Sequence, residues 1–299
     1  MGRGRVLVTS AGGRIGRAVI EELLNHEYDV VGADVASRPR GEVGLSATVG
    51  NRAFQFAQID LVDVDKVAGA MSGALAVIHL GAIPGPNRHA DEVVFGNNTR
   101  ATFAVLQAAH LQGVRKAVIA SSISALGPSF SPEPTTPLYA PVDEDHPLLG
   151  ADPYALSKEV DERTAAMFHR RSEMSVAALR FSFVGRPDEV GEAVARVRHN
   201  PAGSSRTLWS YVDIRDAATA TRLAMEADGL GFEVFNITAA DTLSDVPTEE
   251  LLREFAPLVE IRQPIPGNAS AYSIQKARRT LCYEPAHTWR DAREAVSHG

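Results

Sequence analysis

At 299 residues, 44% of them hydrophobic, the chain has apolar material for one large domain or a domain with a lobe, which excludes wholesale disorder. A formal net charge of -7 and a pI near 5.7, with no long Lys/Arg run, exclude a global basic field for nucleic acid, and no run of about 18 apolar residues is present to span a membrane. A single cysteine, Cys282, excludes an internal disulfide and the lack of CxxC pairs or HExxH speaks against a metal site, so a cytoplasmic protein with a buried or partly buried Cys282 thiol is expected.

Apolar runs at residues 5–9, 28–34, 53–59, 76–80, 116–121 and 176–181 read as strands, and amphipathic stretches beginning near Arg14, Val62, Val93 and Pro153 read as helices. Parallel strands need a helix-length crossover, so this alternation predicts βαβ units and a doubly wound parallel α/β sheet. Residues 127–153, "GPSFSPEPTTPLYAPVDEDHPLLGADP", break the rhythm with prolines and carboxylates. A loop of that length inside a compact domain is expected to be either disordered or functional. Beyond Phe181, "DEVGEAVARVRHN" reads as a helix, "WSYVDIRDAATATRLAMEA" as a short strand entering a helix, "EVFNIT" as a strand and "SIQKARRTL" as a short helix. Residues 1–181 are expected to form the main sheet domain, and residues 182–299 a small lobe interleaved with its last strands.

Between the first strand and the first helix lies "TSAGGRIGR", Thr9 to Arg17. Glycines in such a turn let backbone N–H groups approach a pyrophosphate, and the helix N-terminus behind them adds partial positive charge. Gly13 and Gly16 fit a TGxxGxxG spacing begun by Thr9, but Ser10 stands in place of the first glycine. A side chain there makes positive φ costlier by roughly 1 kcal/mol if the turn demands it, which reshapes the turn without abolishing it. Asp34 ends the second strand 18 residues after Gly16, where a carboxylate accepts hydrogen bonds from an adenosine ribose diol. Asp60 and Leu61 end the third, at the rim where an adenine would lie. A carboxylate at Asp34 also repels a 2′-phosphate, so NAD is favoured over NADP, with Arg38 and Arg40 near enough to temper the preference.

In "DPYALSKEVDER", Tyr154 and Lys158 stand four apart in a predicted helix and leave one face. A free phenol, with a pKa of about 10, is a poor base near neutral pH; an ammonium beside it favours the phenolate. "IASSISALG" ends the fifth strand in Ser121 and Ser122, at the carboxyl edge where open α/β sheets bind ligands. A hydroxyl there can meet a substrate oxygen beside Tyr154.

These segments, with "HLGA" at 79–82 and "NTRAT" from Asn98, come in an order and spacing that resembles the extended short-chain dehydrogenase/reductases. "LRFSFVG" from Leu179, "YVDIRDAA" from Tyr211, "EVFNIT" from Glu233 and "KARRTLCYEPAHTW" from Lys276 resemble later blocks of their NAD-dependent epimerase/dehydratase branch. The resemblance covers nearly the whole chain. It implies a Rossmann-type sheet with a small C-terminal substrate lobe, and NAD held by Gly13, Arg14, Ile15, Gly16, Asp34, Asp60, Leu61, Leu80, Gly81, Ala82, Tyr154 and Lys158. It makes Tyr154 the acid/base, tuned by Lys158, and Ser122 the hydroxyl that polarises the substrate oxygen, with Ser121 and Ser124 as fallback. Asn98 takes a structural or proton-relay role, and around His79 the backbone rather than the imidazole faces the cofactor. Broad apolar faces on the helices carrying Asn98 and Tyr154 imply a homodimer, or merely cover the sheet.

Two features bear on the substrate. The proline-rich insert lengthens the path from Ser122 to Tyr154 and is expected to cover the substrate. The segment from Gly185 to Tyr211 is short where nucleotide-sugar enzymes of that family hold the nucleotide, a brevity shared with uronate dehydrogenases. The expected activity is hydride transfer between NAD and a carbinol of a sugar or nucleotide sugar. An epimerase or dehydratase returns the hydride; a dehydrogenase of a free sugar or uronate releases NADH. Arg186, Arg196, Arg198 and above all Arg206 are candidates to hold a carboxylate or phosphate, with Ser124 and Phe181 beside the substrate. A non-catalytic dinucleotide-sensing protein is the alternative of another class; the intact Ser122, Tyr154 and Lys158 speak against it.

Overall fold

The computed structural model describes residues 3–36, 48–49 and 52–291; Arg38 and Arg40 lie outside them. In chain order the strands are β1 (Arg5–Thr9), β2 (Asp29–Asp34), β3 (Thr48–Val49), β4 (Arg52–Gln58), β5 (Ala74–His79), β6 (Lys116–Ser122), β7 (Tyr139–Ala140), β8 (Ser175–Phe181), β9 (Phe183–Gly185), β10 (Tyr211–Asp213), β11 (Phe232–Ile237) and β12 (Glu260–Ile261). The α-helices are α1 (Arg14–Asn25), α2 (Val64–Ala70), α3 (Asp91–Leu111), α4 (Pro153–Ser172), α5 (Pro187–His199), α6 (Ile214–Glu226), α7 (Thr248–Phe255) and α8 (Gln275–Leu281). The elements expected from periodicity are present, their ends displaced by one or two residues.

β1 shows why such a run becomes a central strand. Val6, Leu7, Val8 and Thr9 are all fully buried; Val6 and Val8 join one helical layer and Leu7 the other, because successive side chains of a strand leave opposite faces. In one layer Val19, Ile20 and Leu23 of α1 pack with Ala217, Ala220 and Ala224 of α6. In the other, Val67 of α2, Val105 and Leu106 of α3, and Ala165 and Phe168 of α4 cover the sheet. Each fully buried large aliphatic side chain contributes about 1.5–3 kcal/mol.

The sheet order is β11-β8-β6-β5-β1-β2-β4-β3, parallel throughout except for β3, which runs antiparallel to β4. From β1 the chain crosses to β2 on one side and reaches β5 on the other only later. The carboxyl ends of β1 and β5 therefore frame the crevice at which strand order reverses, where such sheets bind ligands.

Residues 127–153 have structure of their own rather than forming a disordered loop. A 3-10 turn covers Pro128–Phe130, and β7 pairs with β12. Glu144 Oε1 accepts from the Asn236 N–H of β11 at 2.8 Å, while Arg180 donates to the Glu144 carbonyl at 3.3 Å. Ile123, Leu126, Ala140 and Val142, before and within this insert, complete a third core with Val190, Val194 and Val197 of α5 and Leu251 and Leu252 of α7. The lobe thus shares its core with the insert, while β11 and α6 return to the main sheet.

Two expectations are corrected. Trp209 does not open the strand, which starts at Tyr211; Leu208 and Trp209 take φ of +50° and +55°. This left-handed turn sends the indole into the lobe core, where Nε1 donates to the Pro201 carbonyl at 2.7 Å. Cys282 is exposed, not buried. It caps α8 at φ +55°, and with Leu281 and Tyr283 on either side turned into the core, the residue between them faces outward.

Candidate active site

The turn after β1 is built on Ser10. It adopts φ +53°, the left-handed conformation that a glycine would take without strain, so the site absorbs the cost foreseen for this position. The Gly13 N–H donates to the Ser10 carbonyl at 2.9 Å, and a Cβ on Gly16 would stand 2.1 Å from that same oxygen. Gly13 precedes α1 and no side chain caps the helix. The first helical amide bonded back into this turn is that of Arg17, to the Gly13 carbonyl at 3.0 Å, which leaves the Arg14, Ile15 and Gly16 N–H groups without an intrahelical acceptor. A backbone cradle that a Cβ would fill, at an uncapped helix N-terminus, fits a pyrophosphate. Asp34 buttresses it: Oδ2 accepts from the Gly12 N–H at 2.9 Å and Oδ1 from Ala36 at 3.0 Å. Asp60 is exposed, and Leu61 packs on Gly81, where a Cβ would meet its Cδ1 at 2.4 Å.

Thr9 ties β1 to the turn after β5. Its Oγ1 accepts from the Leu80 and Gly81 N–H groups at 3.0 and 3.3 Å. With both lone pairs engaged, the hydroxyl proton goes to His79 Nδ1, 2.9 Å away. His79 then carries its own proton on Nε2, which finds no partner among the described residues. Burial first, and the Lys158 charge second, push this imidazole down to about 3. It is a neutral ring, and the backbone beside it faces the crevice.

Asn98 on α3 is fully buried. Its Oδ1 accepts from the Ile83 N–H at 2.8 Å and its Nδ2 donates to the Ile83 carbonyl and to Ser157 Oγ, each at 3.1 Å. The Ser157 hydroxyl in turn donates to the Tyr154 carbonyl at 2.8 Å. This asparagine stitches the turn after β5 to the start of α4.

α4 starts sharply because Asp152 caps it, Oδ1 accepting from the Tyr154 and Ala155 N–H groups at 2.9 Å each, with Pro153 at the first helical position. Tyr154 is thereby fixed in the first turn and Lys158 one turn later, its Nζ 5.8 Å from the centre of the Tyr154 ring. Nζ donates to the Ala120 carbonyl at 2.8 Å and to Asp161 Oδ2 at 3.2 Å. Burial lowers the Lys158 ammonium, but Asp161, Tyr154 and Glu162 more than offset it, and the net direction is upward.

Ser121 and Ser122 separate by partner. Ser121 donates to Glu162 Oε1 at 2.6 Å, and Arg180 grips that carboxylate with two bonds of 2.8 Å, so Ser121 is spent inside a buried network. Ser122 Oγ accepts from the Ser124 N–H at 3.1 Å and donates to no acceptor among the described residues.

Tyr154, Lys158, Ser122, Ser124, Arg14, Ile15, Leu80, Ala82 and Phe181 all line one cleft of about 340 Å³. Gly13, Gly16, Asp34, Asp60, Leu61, Gly81 and Asn98 are not in its wall. Among the wall residues that sequence reasoning missed are Ser129, Phe130, Ser182 and Thr207. The Phe130 ring stands edge-on to Tyr154, centroids 5.9 Å apart, so the insert does reach the cleft. Ser182 Oγ is buried there with no partner among the described residues; its place just past the carboxyl end of β8 was the only available signal.

Among the described residues two cations line this cleft, and each faces a carboxylate. Lys158 faces Asp161, and Arg14 Nη1 reaches Glu189 Oε1 on α5 at 2.6 Å. Arg186 pairs with Asp188 and Glu189, Arg196 with Glu192 and Arg198 with Asp245. Arg206 is outside the wall and donates to the Ser131 carbonyl at 2.6 Å, tying the lobe to the insert. Among the described residues no helix is long and apolar enough to cross a membrane, and no His/Cys/Asp/Glu group is arranged to hold a metal.

Comparison with known proteins agrees with this geometry. The chain is 33% identical over 199 residues to a UDP-glucose 4-epimerase of Mycolicibacterium smegmatis, a match covering 63% of this chain and only 59% of that protein. It is 28% identical over 286 residues to an NAD-dependent glucose-6-phosphate dehydrogenase of Haloferax volcanii, covering 94% and 92%. A short-chain dehydrogenase/reductase superfamily protein from Agrobacterium tumefaciens, solved with bound NAD, superposes with a TM-score of 0.70 at 25% identity, covering 98% of this chain and 97% of that one. Residues 6–238 match the model of the NAD dependent epimerase/dehydratase family, and the chain belongs to that family.

Proposed function

We propose that the protein is an NAD-dependent dehydrogenase of a free sugar or uronate, acting at a carbinol carbon. The observation that carries this reading is the cleft's charge inventory. A nucleotide sugar brings a diphosphate, yet the two cations in the wall are already held by carboxylates, and the volume of about 340 Å³ lies at the low end for ligand sites. The match to the NAD-dependent glucose-6-phosphate dehydrogenase along nearly its full length supports a dehydrogenase. On this reading residues 182–299, together with the insert, serve as the substrate lobe, and the exposed Phe103, Leu111 and Leu156 on α3 and α4 supply a homodimer face.

The N–H groups opening α1 hold the pyrophosphate of NAD, Asp34 receives the adenosine ribose, and Lys158 the nicotinamide ribose. NAD, when bound, supplies the hydride acceptor. Ser122 donates its free proton to the substrate oxygen and orients it. Tyr154 Oη takes the hydroxyl proton as the carbonyl forms, with the Lys158 ammonium 5.8 Å from the centre of its ring. Phe130 keeps water from the phenol, and Ser182 offers a hydrogen bond to a second sugar hydroxyl.

The test is to incubate the purified protein with NAD and a panel of free sugars, uronates and UDP-sugars, following NADH absorbance and sugar isomers in parallel. NADH release with a free sugar or uronate is expected, lost in Tyr154→Phe while NAD binding persists. Isomerised UDP-sugar without NADH release would establish the epimerase instead, and full activity in Tyr154→Phe would remove Tyr154 from the chemistry.

A further inference from the structure

Asp161 stands one helical turn beyond Lys158 and belongs to no motif in the sequence. Its side chain is 1% exposed, and Oδ2 lies 3.2 Å from Lys158 Nζ. The Thr102 hydroxyl of α3 faces the same carboxylate, but Oδ1 makes no hydrogen bond among the described residues. A buried ion pair repays its desolvation only when the remaining lone pairs are satisfied. An arrangement serving stability alone would bond both oxygens or replace the pair by apolar side chains.

The other charged and titratable groups near the pair are already accounted for. Glu162, on α4, is gripped by Arg180 of β8 and accepts from Ser121 of β6. His79 of β5 is neutral. Tyr154 is the remaining titratable neighbour of Lys158. Asp161 is therefore the one anion facing Lys158 that no other cation has claimed among the described residues. The ammonium has three protons: Ala120 and Asp161 take two, and the third is left for the cleft.

We propose that Asp161 is a positioning residue, the fixed counter-charge that keeps the buried Lys158 an ammonium locked between β6 and α4, and that it thereby sets the alkaline limit of turnover. The inference rests on the role proposed above for Tyr154 and Lys158. Without Asp161, burial alone would strip the proton from Lys158 at lower pH, and the Tyr154 ring would lose the cation beside it.

The chain has only four lysines, Lys66, Lys116, Lys158 and Lys276, so lysine-selective isotope labelling resolves each side chain by NMR, with Lys158→Arg giving the assignment. The titration is run on the full chain without NAD. In the native protein Lys158 is expected to titrate above the ordinary lysine value of about 10.4. In Asp161→Asn it should fall by at least a tenfold change in proton affinity, and in Asp161→Glu most of the shift should return. The alkaline limb of kcat/KM should move with it. An unchanged Lys158 titration in Asp161→Asn overturns the proposal. If that variant does not fold, the native titration decides, since a Lys158 below the ordinary value overturns it equally. The NMR readout needs no turnover, so its failure is distinguishable from a failure of the Tyr154 mechanism.

Discussion

Acidification should destabilise this protein through His79 in particular. In the unfolded chain the imidazole binds its proton near pH 6.5, whereas in the folded protein burial holds it down to about 3. Between these values the unfolded state takes up more protons than the folded state, so stability is fully present above pH 6.5 and drains away as pH falls. One pH unit across that window is worth 1.36 kcal/mol per group, so at pH 5 the loss from His79 alone comes to about 2 kcal/mol. The assay is urea unfolding at pH 7 and pH 5, for the native protein and for His79→Asn, whose amide can keep the Thr9 bond but cannot take the proton. Carboxylates held low by their partners, such as Glu189 with the Arg186 N–H and Arg14, lose stability with acid in both proteins and cancel in the comparison. The native protein should lose about 2 kcal/mol more than the variant over this interval. Equal losses would show that His79 meets the proton as readily folded as unfolded, and the neutral buried ring would be refuted.

Gly16→Ala should weaken NAD binding at least tenfold in a fluorescence titration, because the new Cβ would sit 2.1 Å from the Ser10 carbonyl and must displace the cradle; an unaltered Kd would move the pyrophosphate elsewhere. Trp209→Ala removes a fully buried indole from the core shared by lobe and insert and should cost about 3–5 kcal/mol in urea unfolding. A loss under about 1 kcal/mol would mean that this core is not part of the cooperative unit.

Much of the fold was legible because its signals are local. The run Val6-Leu7-Val8, buried on both faces, and the amphipathic stretch that became α1 follow from side-chain periodicity alone. The spacing of Gly13 and Gly16 needs only the turn geometry, and Tyr154 and Lys158 share a helix face because they are four apart. Even the conformation of Ser10 was framed correctly as a cost at a position requiring positive φ. Misreadings came where local pattern competes with tertiary packing. Trp209 reads as a strand residue, yet the lobe core draws its indole inward through a left-handed turn. Cys282 reads as a small apolar residue, yet its neighbours take the buried positions.

The sequence by itself determined the alternation of strands and helices, the glycine turn, and the spacing that sets Tyr154 and Lys158 on one helix face, since each depends on residues within a few positions of one another. The tertiary structure alone decided which hydroxyl is free and which charges are spent. Ser121 is withdrawn by Glu162 and Arg180 across three elements, Arg14 by Glu189 across the cleft, and Phe130 reaches Tyr154 only because the insert folds back over α4. Hydrogen bonds and ion pairs act over about 3 Å, and no periodicity along the chain encodes which distant residues the fold brings within that distance.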